Sequence, residues 1–347
     1  MSNSSPDPRQ AARAIDALGR GWSICIDGSF YVRAVESWHD TDIAPAQMII
    51  SASRAATLNI TNQRAAADIN IPVCLSTGEV LTPHNAIAIA DPVLDLRHPM
   101  KGPFKAHTLA SPGAAGAAME LARLAGILPA FVIVDADKDA QHVRSIDVEA
   151  YQNSDNLRIA SRAKLPIAAN SDAEIIAFRS EADSSEHIAL IIGKRDDSAP
   201  LTRLHSECLT GDVLGSLKCD CGPQLHHALE QMAQNWGVLL YLRQEGRAIG
   251  LINKLRAYAL QDQGYDTVDA NTRLGFAVDA RDFSIAAKML KLLRLNEVAL
   301  MTNNPEKVTG LEAHDIIVSE RVPIQMEANP HNEKYLDTKR ERTGHQL

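Results

Sequence analysis

Two apolar periods run along this chain, and the places where one gives way to the other mark its elements. From Ala11 apolar residues recur at helical spacing, and "GWSICIDG" after them reads as a strand. The stretch 114–127, "AAGAAMELARLAGI", is expected to be a helix, and 129–137, "PAFVIVDAD", a buried strand. Residues 1–10 carry Ser, Asn, Pro and Asp without an apolar pattern and are expected to be disordered. The segment "SIDVEAYQNSDNLRIASRAKLPI" is polar and loses clear periodicity. A domain boundary is therefore placed near residue 155, dividing 1–155 from 156–347.

Beyond that boundary strands and helices alternate. "HIALIIG" (187–193), "TRLHSE" (202–207), "GVLLYLRQ" (237–244) and "EVALMTNN" (297–304) read as strands. "GPQLHHALEQMAQN" (222–235) places Leu225, Ala228, Leu229 and Met232 on one helix face. Helices are also expected over 248–264, ended by Gly264, and over 283–295. Such alternation predicts an α/β fold, a sheet with helices packed on its faces.

Composition adds limits. With 347 residues the chain has room for two domains, each with a sizeable core. A formal net charge of −8 disfavours nucleic acid and anionic membranes as partners, so a polyanionic substrate would need a locally basic site. No apolar run approaches the roughly 18 residues of a membrane span, and the N-terminal stretch lacks the apolar core of a signal peptide. Five cysteines, three of them clustered, suit metal binding in a reducing cytoplasm better than a disulfide framework.

Those three are Cys208, Cys219 and Cys221, in "CLTGDVLGSLKCDCG". Thiolates bind Zn²⁺ well; a structural site is closed by four protein ligands, whereas a catalytic site holds three and leaves a place for water. No fourth cysteine lies nearby in sequence. His205, His226 or His227 could close the site, or the thiols could simply be buried. Three thiolates would leave the ion anionic and less able to acidify water than a three-histidine site, so a neighbouring acid–base group would be useful.

Polar segments follow the expected strands. "RQEGRAIG" (243–250) sets Arg243, Glu245 and Arg247 among glycines before a helix N-terminus, a geometry that suits an anion, or else a solvated turn. Arg203 in "RLHSE" could clamp a phosphate through its fork of donors, or sit on the surface. "VDARD" sets Asp279 and Arg281 two apart, and "LMTNNPEK" presents Thr302 and Lys307 after a strand. Together they outline a zinc centre with phosphate-capable groups, suited to hydrolytic work on a nucleotide.

With these segments in place, "RLHSECLTGDVLGSLKCDCGPQL", "YLRQEGRAIGLINKLRAYALQDQGYDTVDAN", "LGFAVDARDF", "LMTNNPEKVTGL" and "NEKYLDTKRERTGH" resemble GTP cyclohydrolase II in motif and order, over about residues 157–347. The resemblance implies an α/β/α layered domain, a homodimer, one Zn²⁺ per subunit and Mg²⁺ with the GTP phosphates. It implies hydrolysis of GTP to 2,5-diamino-6-(5-phosphoribosylamino)pyrimidin-4-one, formate and pyrophosphate, in riboflavin biosynthesis. By the same resemblance Cys208, Cys219 and Cys221 are the metal ligands, with water in the open position. Arg203, Leu204, His205, Ser206, Glu207, Gln224, Glu245, Gly246, Arg247, Thr267, Thr302 and Lys307 contact GTP, with Glu245 facing the guanine edge. Asp279 is implied as proton acceptor and Tyr258 in formate release. Arg281 is implied as nucleophile toward the α-phosphate, although a guanidinium is better suited to stabilising charge there. The family usually has Gly or Asn where this chain has Ala248, a mild change at sequence level.

The amino-terminal half is similar in framework to 3,4-dihydroxy-2-butanone 4-phosphate synthase, an α+β domain, in "AARAIDALGRGWSICIDG" and "AAMELARLAGILPAFVIVDAD". Its chemistry is missing. "DGSFYVRAVESWHD" replaces the acidic metal-binding run, and Ala114, Ala115 and Gly116 stand where the family has His, Thr and Glu. The expectation is an inactive synthase fold kept for packing, dimerisation or regulation. Two other readings stay open for the second half. One is a paralogue with altered product or substrate; the other is a non-catalytic zinc-containing nucleotide sensor, against which the retained Asp279, Arg281 and Tyr258 argue.

Overall fold

The computed structural model describes residues 5–39, 43–180 and 185–344; residues 1–4 and His345 of the C-terminal motif lie outside them. Two compact units emerge: Met1–Asn153 with Ala248–Ala280, and Ser154–Arg247 with Arg281–Leu347. The chain first passes between them at Asn153, close to the expected boundary.

The first unit is built on a seven-stranded sheet of β1 (Ile24–Ile26), β2 (Phe30–Ala34), β3 (Met48–Ile50), β4 (Val73–Ser76), β5 (Lys105–His107), β6 (Ala130–Ile133) and β7 (Gln141–Val143). Its order is β5-β4-β3-β6-β2-β1-β7, antiparallel except for the β1–β7 pair. Side chains alternate between two cores, as the pleat requires: Ile49 and Phe131 enter one, Met48, Ile50, Ala130 and Val132 the other. The helices Pro8–Gly19 and Pro112–Ala125 cover the first core. Ordered structure thus begins inside the stretch expected to be disordered. Asp7 caps the first helix by accepting from Arg9 N at 3.2 Å, Pro8 opens it, and Ala11, Ala14, Ala17 and Leu18 are buried.

Residues 248–280, assigned from the sequence to the second domain, pack with the first sheet. The helices Leu251–Asp262 and Thr267–Leu274 form part of the cover of the first sheet, burying Ile249, Ala257, Leu260, Ala270, Leu274 and Phe276 with Val35, Trp38, Met48 and Ile50. Polar contacts fix the join. Arg256 pairs with Glu36 at 3.0 Å and Asp91 at 3.1 Å, and Asn253 Nδ2 donates to Gly126 O at 3.0 Å. Linear sequence could not show this, because an apolar helix face carries no address.

The second unit's sheet comprises β8 (Leu157–Lys164), β9 (Ala173–Ser180), β10 (Glu186–Ile192), β11 (Leu201–Ser206), β12 (Gly237–Leu242), β13 (Glu297–Met301) and β14 (Ile317–Val322). Its order is β14-β13-β11-β12-β10-β9-β8. Strands β14, β13, β11 and β12 run parallel, and β10, β9 and β8 antiparallel. Helices Ser284–Leu292 and Pro305–Glu312 contribute to the core on one face, and helix Cys221–Ala233 to that on the other, giving the expected α/β/α layering. The segment that looked patternless holds helix Ser145–Tyr151 and the edge strand β8. Strand β8 buries only Leu157 fully, which is why no period showed. Parallel β11, β12 and β13 all end at one edge of the sheet, where α/β folds bind ligands.

Candidate metal centre and nucleotide site

Strand β11 lies between β13 and β12 and delivers Cys208 to this carboxyl edge. Cys208 then opens a single wide helical turn, Leu209–Val213, and Gly211 N donates to its Sγ at 3.3 Å. Cys219 and Cys221 stand at the start of helix Cys221–Ala233, where the helix dipole favours thiolates. All three Sγ atoms lie within 4.8 Å of one another, with Cys208 and Cys219 3.7 Å apart. Tetrahedral zinc, with Zn–S bonds of about 2.3 Å, sets its sulfurs about 3.8 Å apart, so the residues fit the ion. Gly211 makes the approach possible: a Cβ there would meet Cys219 Sγ at 2.8 Å. Cys208 is the largest influence raising the pKa of both Cys219 and Cys221.

Among the described residues the ligand group holds three sulfurs and no histidine. His226 Nδ1 is occupied by Gly222 O at 2.8 Å. His205 Nε2 donates to Asp212 Oδ1 at 3.0 Å, and its ring stacks on Tyr241. Burial lowers the His205 pKa, against the pull of Asp212. Two carboxylates back the cluster. Asp212 also accepts from Cys208 N at 3.0 Å and Tyr241 Oη at 2.8 Å. Asp220, between two of the cysteines, accepts from Gln224 Nε2 and Lys339 Nζ, each at 2.7 Å.

Arg203 is not the ordinary surface arginine that one sequence reading allowed. It is buried, donates to Gln224 Oε1 and, at 3.3 Å, to Met301 O, and has no partner at Nε. Burial pulls its pKa down to about 10, against the pull of Cys221 and Asp220. Leu204 O accepts from Lys307 Nζ at 2.7 Å, and the buried Thr302 hydroxyl accepts from Asn304 N at 3.0 Å. Glu207 accepts from Arg243 at 3.0 Å. Glu245 accepts from Leu209 N at 2.7 Å and Gly246 N at 2.9 Å. Gly246, Arg247 and Ala248 follow with φ of 63°, 61° and 69°. The change at Ala248 is therefore less mild than it looked, since glycine or asparagine suits this left-handed position.

Arg281 lies in the second unit, 5.4 Å from the Phe283 ring. Tyr258, Thr267 and Asp279 belong to the first unit. There Tyr258 lies under Lys254 Nζ, and Gln261 donates to Thr267 Oγ1 at 3.0 Å. The second unit also holds polar groups that the sequence reading passed over. Ser206 Oγ, Gln244 Oε1, Asn304 Nδ2, His205 Nδ1 and Arg203 Nε are all buried without a hydrogen-bond partner among the described residues. All five belong to residues at or near the carboxyl ends of β11, β12 and β13. Buried orphans on this scale point to a missing ligand. Asp220 and Lys339 were legible only as members of quoted motifs.

Fold and site together define an α/β enzyme with a thiolate metal-capable centre at a sheet edge. A family model, GTP cyclohydrolase II, matches residues 158–323. GTP cyclohydrolase-2 of Azospirillum brasilense is 41% identical over 98% of this chain and 95% of its own length. GTP cyclohydrolase-2 of Shigella boydii is 55% identical over 55% of this chain and 98% of its own. Riboflavin biosynthesis protein RibBA of Bacillus subtilis is 55% identical over 50% of this chain, which spans 44% of that protein. The chain belongs to the GTP cyclohydrolase II family, and it is an enzyme of that class in riboflavin biosynthesis.

Proposed function

We propose that the protein is a zinc-dependent GTP cyclohydrolase II, cytoplasmic and homodimeric, with one Zn²⁺ per subunit and Mg²⁺ on the GTP phosphates. Its products are 2,5-diamino-6-(5-phosphoribosylamino)pyrimidin-4-one, formate and pyrophosphate. The observation that carries this reading is the group of three sulfurs within 4.8 Å of one another, Cys208 and Cys219 being 3.7 Å apart, with no histidine in the group among the described residues. Bound there, zinc would supply Lewis acidity for hydrolytic opening of the imidazole ring.

The chain's own groups do the rest. Asp212 accepts from the Cys208 backbone N–H, and Asp220, between Cys219 and Cys221 in the chain, is itself held by Lys339 and Gln224. The partnerless polar groups at the sheet edge are available to the nucleotide. Glu245 takes the donors of the guanine edge, which adenine cannot supply in the same pattern. Asp279 accepts a proton and Tyr258 assists formate release. Arg281 stabilises charge developing on the α-phosphate. Five cysteines without a disulfide agree with a reducing compartment, and no helix among the described residues is long and apolar enough to cross a membrane. Exposed Val213, Leu214 and Leu217, on the segment between the first two ligands, offer apolar surface to a second copy.

Residues 1–155, read as an inactive synthase-like domain, carry Ala114, Ala115 and Gly116 where that chemistry needs acid–base groups. Ala114 and Ala115 are buried in the core, and Glu36 is engaged by Arg256 and by Leu128 N at 2.8 Å. Incubation with GTP, Zn²⁺ and Mg²⁺ tests the main reading: one formate and one pyrophosphate should appear per GTP. Formate without pyrophosphate would mean an altered product, and neither would mean a nucleotide sensor. Turnover of ribulose 5-phosphate by the purified chain would overturn the reading of the first unit.

A further inference from the structure

We propose that Lys339, on the C-terminal helix Glu333–Arg342, is a positioning residue of the metal centre: it fixes Asp220 between two ligand cysteines and supplies one of two buried positive charges that offset the thiolates. The inference rests on the zinc reading above.

The geometry is a continuous buried chain. Lys339 Nζ donates to Asp220 Oδ1 at 2.7 Å and lies 4.3 Å from the Tyr335 ring centroid. Asp220 Oδ2 accepts from Gln224 Nε2 at 2.7 Å, and Gln224 Oε1 accepts from Arg203, which reaches Met301 O at 3.3 Å. Lys339, Asp220, Gln224 and Arg203 are each at most 9% exposed. Asp220 is bonded on one side to Cys219 and on the other to Cys221, so clamping its carboxylate restricts both ligands at once. Lys339 lies 119 residues away in sequence from the aspartate it holds.

Charge gives the second argument. Three thiolates around a divalent ion leave one negative charge, and Asp220 adds another. Buried charge of one sign is strongly disfavoured unless matched. Lys339 and Arg203 are the two cations of this chain of contacts, and they offset two of the three negative charges, the third being Asp212 beside Cys208. The extra electron density of a third thiolate is thereby tolerated without a fourth protein ligand.

The test uses the full-length chain and measures Zn²⁺ affinity by competition with a chromophoric chelator, with Co²⁺ as an optical probe of thiolate ligation. Lys339→Gln, which keeps a donor but loses the charge, should weaken zinc about 10–100-fold, while Lys339→Arg should stay within about threefold of wild type. Lys339→Gln with wild-type affinity and Co²⁺ spectrum overturns the proposal. So does equal loss in the Gln and Arg variants, which would make the lysine a packing residue. Circular dichroism of the metal-free forms checks folding. If Lys339→Gln does not fold, Asp220→Asn takes its place, with a loss of similar size expected and unchanged affinity overturning the proposal. A wild-type chain without a Co²⁺–thiolate charge-transfer band would sink the zinc reading itself, an outcome separate from any variant's.

Discussion

Each unit buries an arginine, and the two are treated differently. In the first unit Arg54 is 2% exposed and fully engaged. It donates to Ile89 O at 2.8 Å and makes a two-pronged pair with Asp95 at 2.8 and 2.7 Å. In the second unit Arg203 is 5% exposed, yet among the described residues it has no carboxylate in hydrogen-bond contact and a bare Nε. The same contrast holds across the units. Of the six buried side-chain atoms without partners among the described residues, five belong to the second unit and gather at one sheet edge; the sixth is Trp38 Nε1. A folding unit satisfies its buried polar groups, whereas a binding site holds some back for the ligand. Arg54 is a staple, and Arg203 is a receptor.

The strongest way to break this comparison is to strand the staple. Asp95→Ala should destabilise the first unit by about 3–5 kcal/mol, because Arg54 would be left as an unpaired buried charge. Denaturant unfolding reads this, and a change under about 1 kcal/mol would refute the assignment. A pH series sharpens it. Burial pushes the Asp95 pKa up, but Arg54 and Lys101 outweigh burial and hold it below the ordinary range. A depressed carboxylate stabilises fully above its unfolded pKa of about 3.9 and loses that contribution as pH falls through the folded pKa. The acid limb of unfolding should therefore be shallower in Asp95→Asn.

Leu260→Ala should cost about 2–5 kcal/mol of the same unit's stability, since Leu260 is fully buried in its core, while Zn²⁺ affinity stays unchanged. Loss of zinc with an intact first unit would contradict the packing described for 248–280. Paired arginine-to-lysine changes come next. Arg54→Lys should lose about 2 kcal/mol through its two-pronged pair. Arg203→Lys should cost about 1 kcal/mol yet reduce kcat/KM for GTP at least about tenfold. Equal behaviour of the two variants would erase the distinction. Smallest is Ala248→Gly, expected to raise stability by about 0.5–1 kcal/mol by relieving a left-handed φ.

Much of the second unit was readable from chain order. Strands β10 to β13 and the helices after them lie close to where periodicity placed them, because each buries a regular face. The cysteine spacing named the metal group and left the fourth ligand open; among the described residues the metal-capable group is Cys208, Cys219 and Cys221, without His205, His226 or His227. Edge strand β8 escaped notice because one buried residue makes no pattern.

Local signals in the chain therefore establish the α/β class, the three thiols and the family motifs, since these depend on residues close in sequence. Long-range proximity had to wait for folding. The helices of 248–280 find their place because the first sheet has an apolar face to cover, and Lys339 meets Asp220 across 119 residues. Apolar burial has no direction, and a charge finds its partner only when packing brings the two together. Neither pairing is written in any short stretch of the chain.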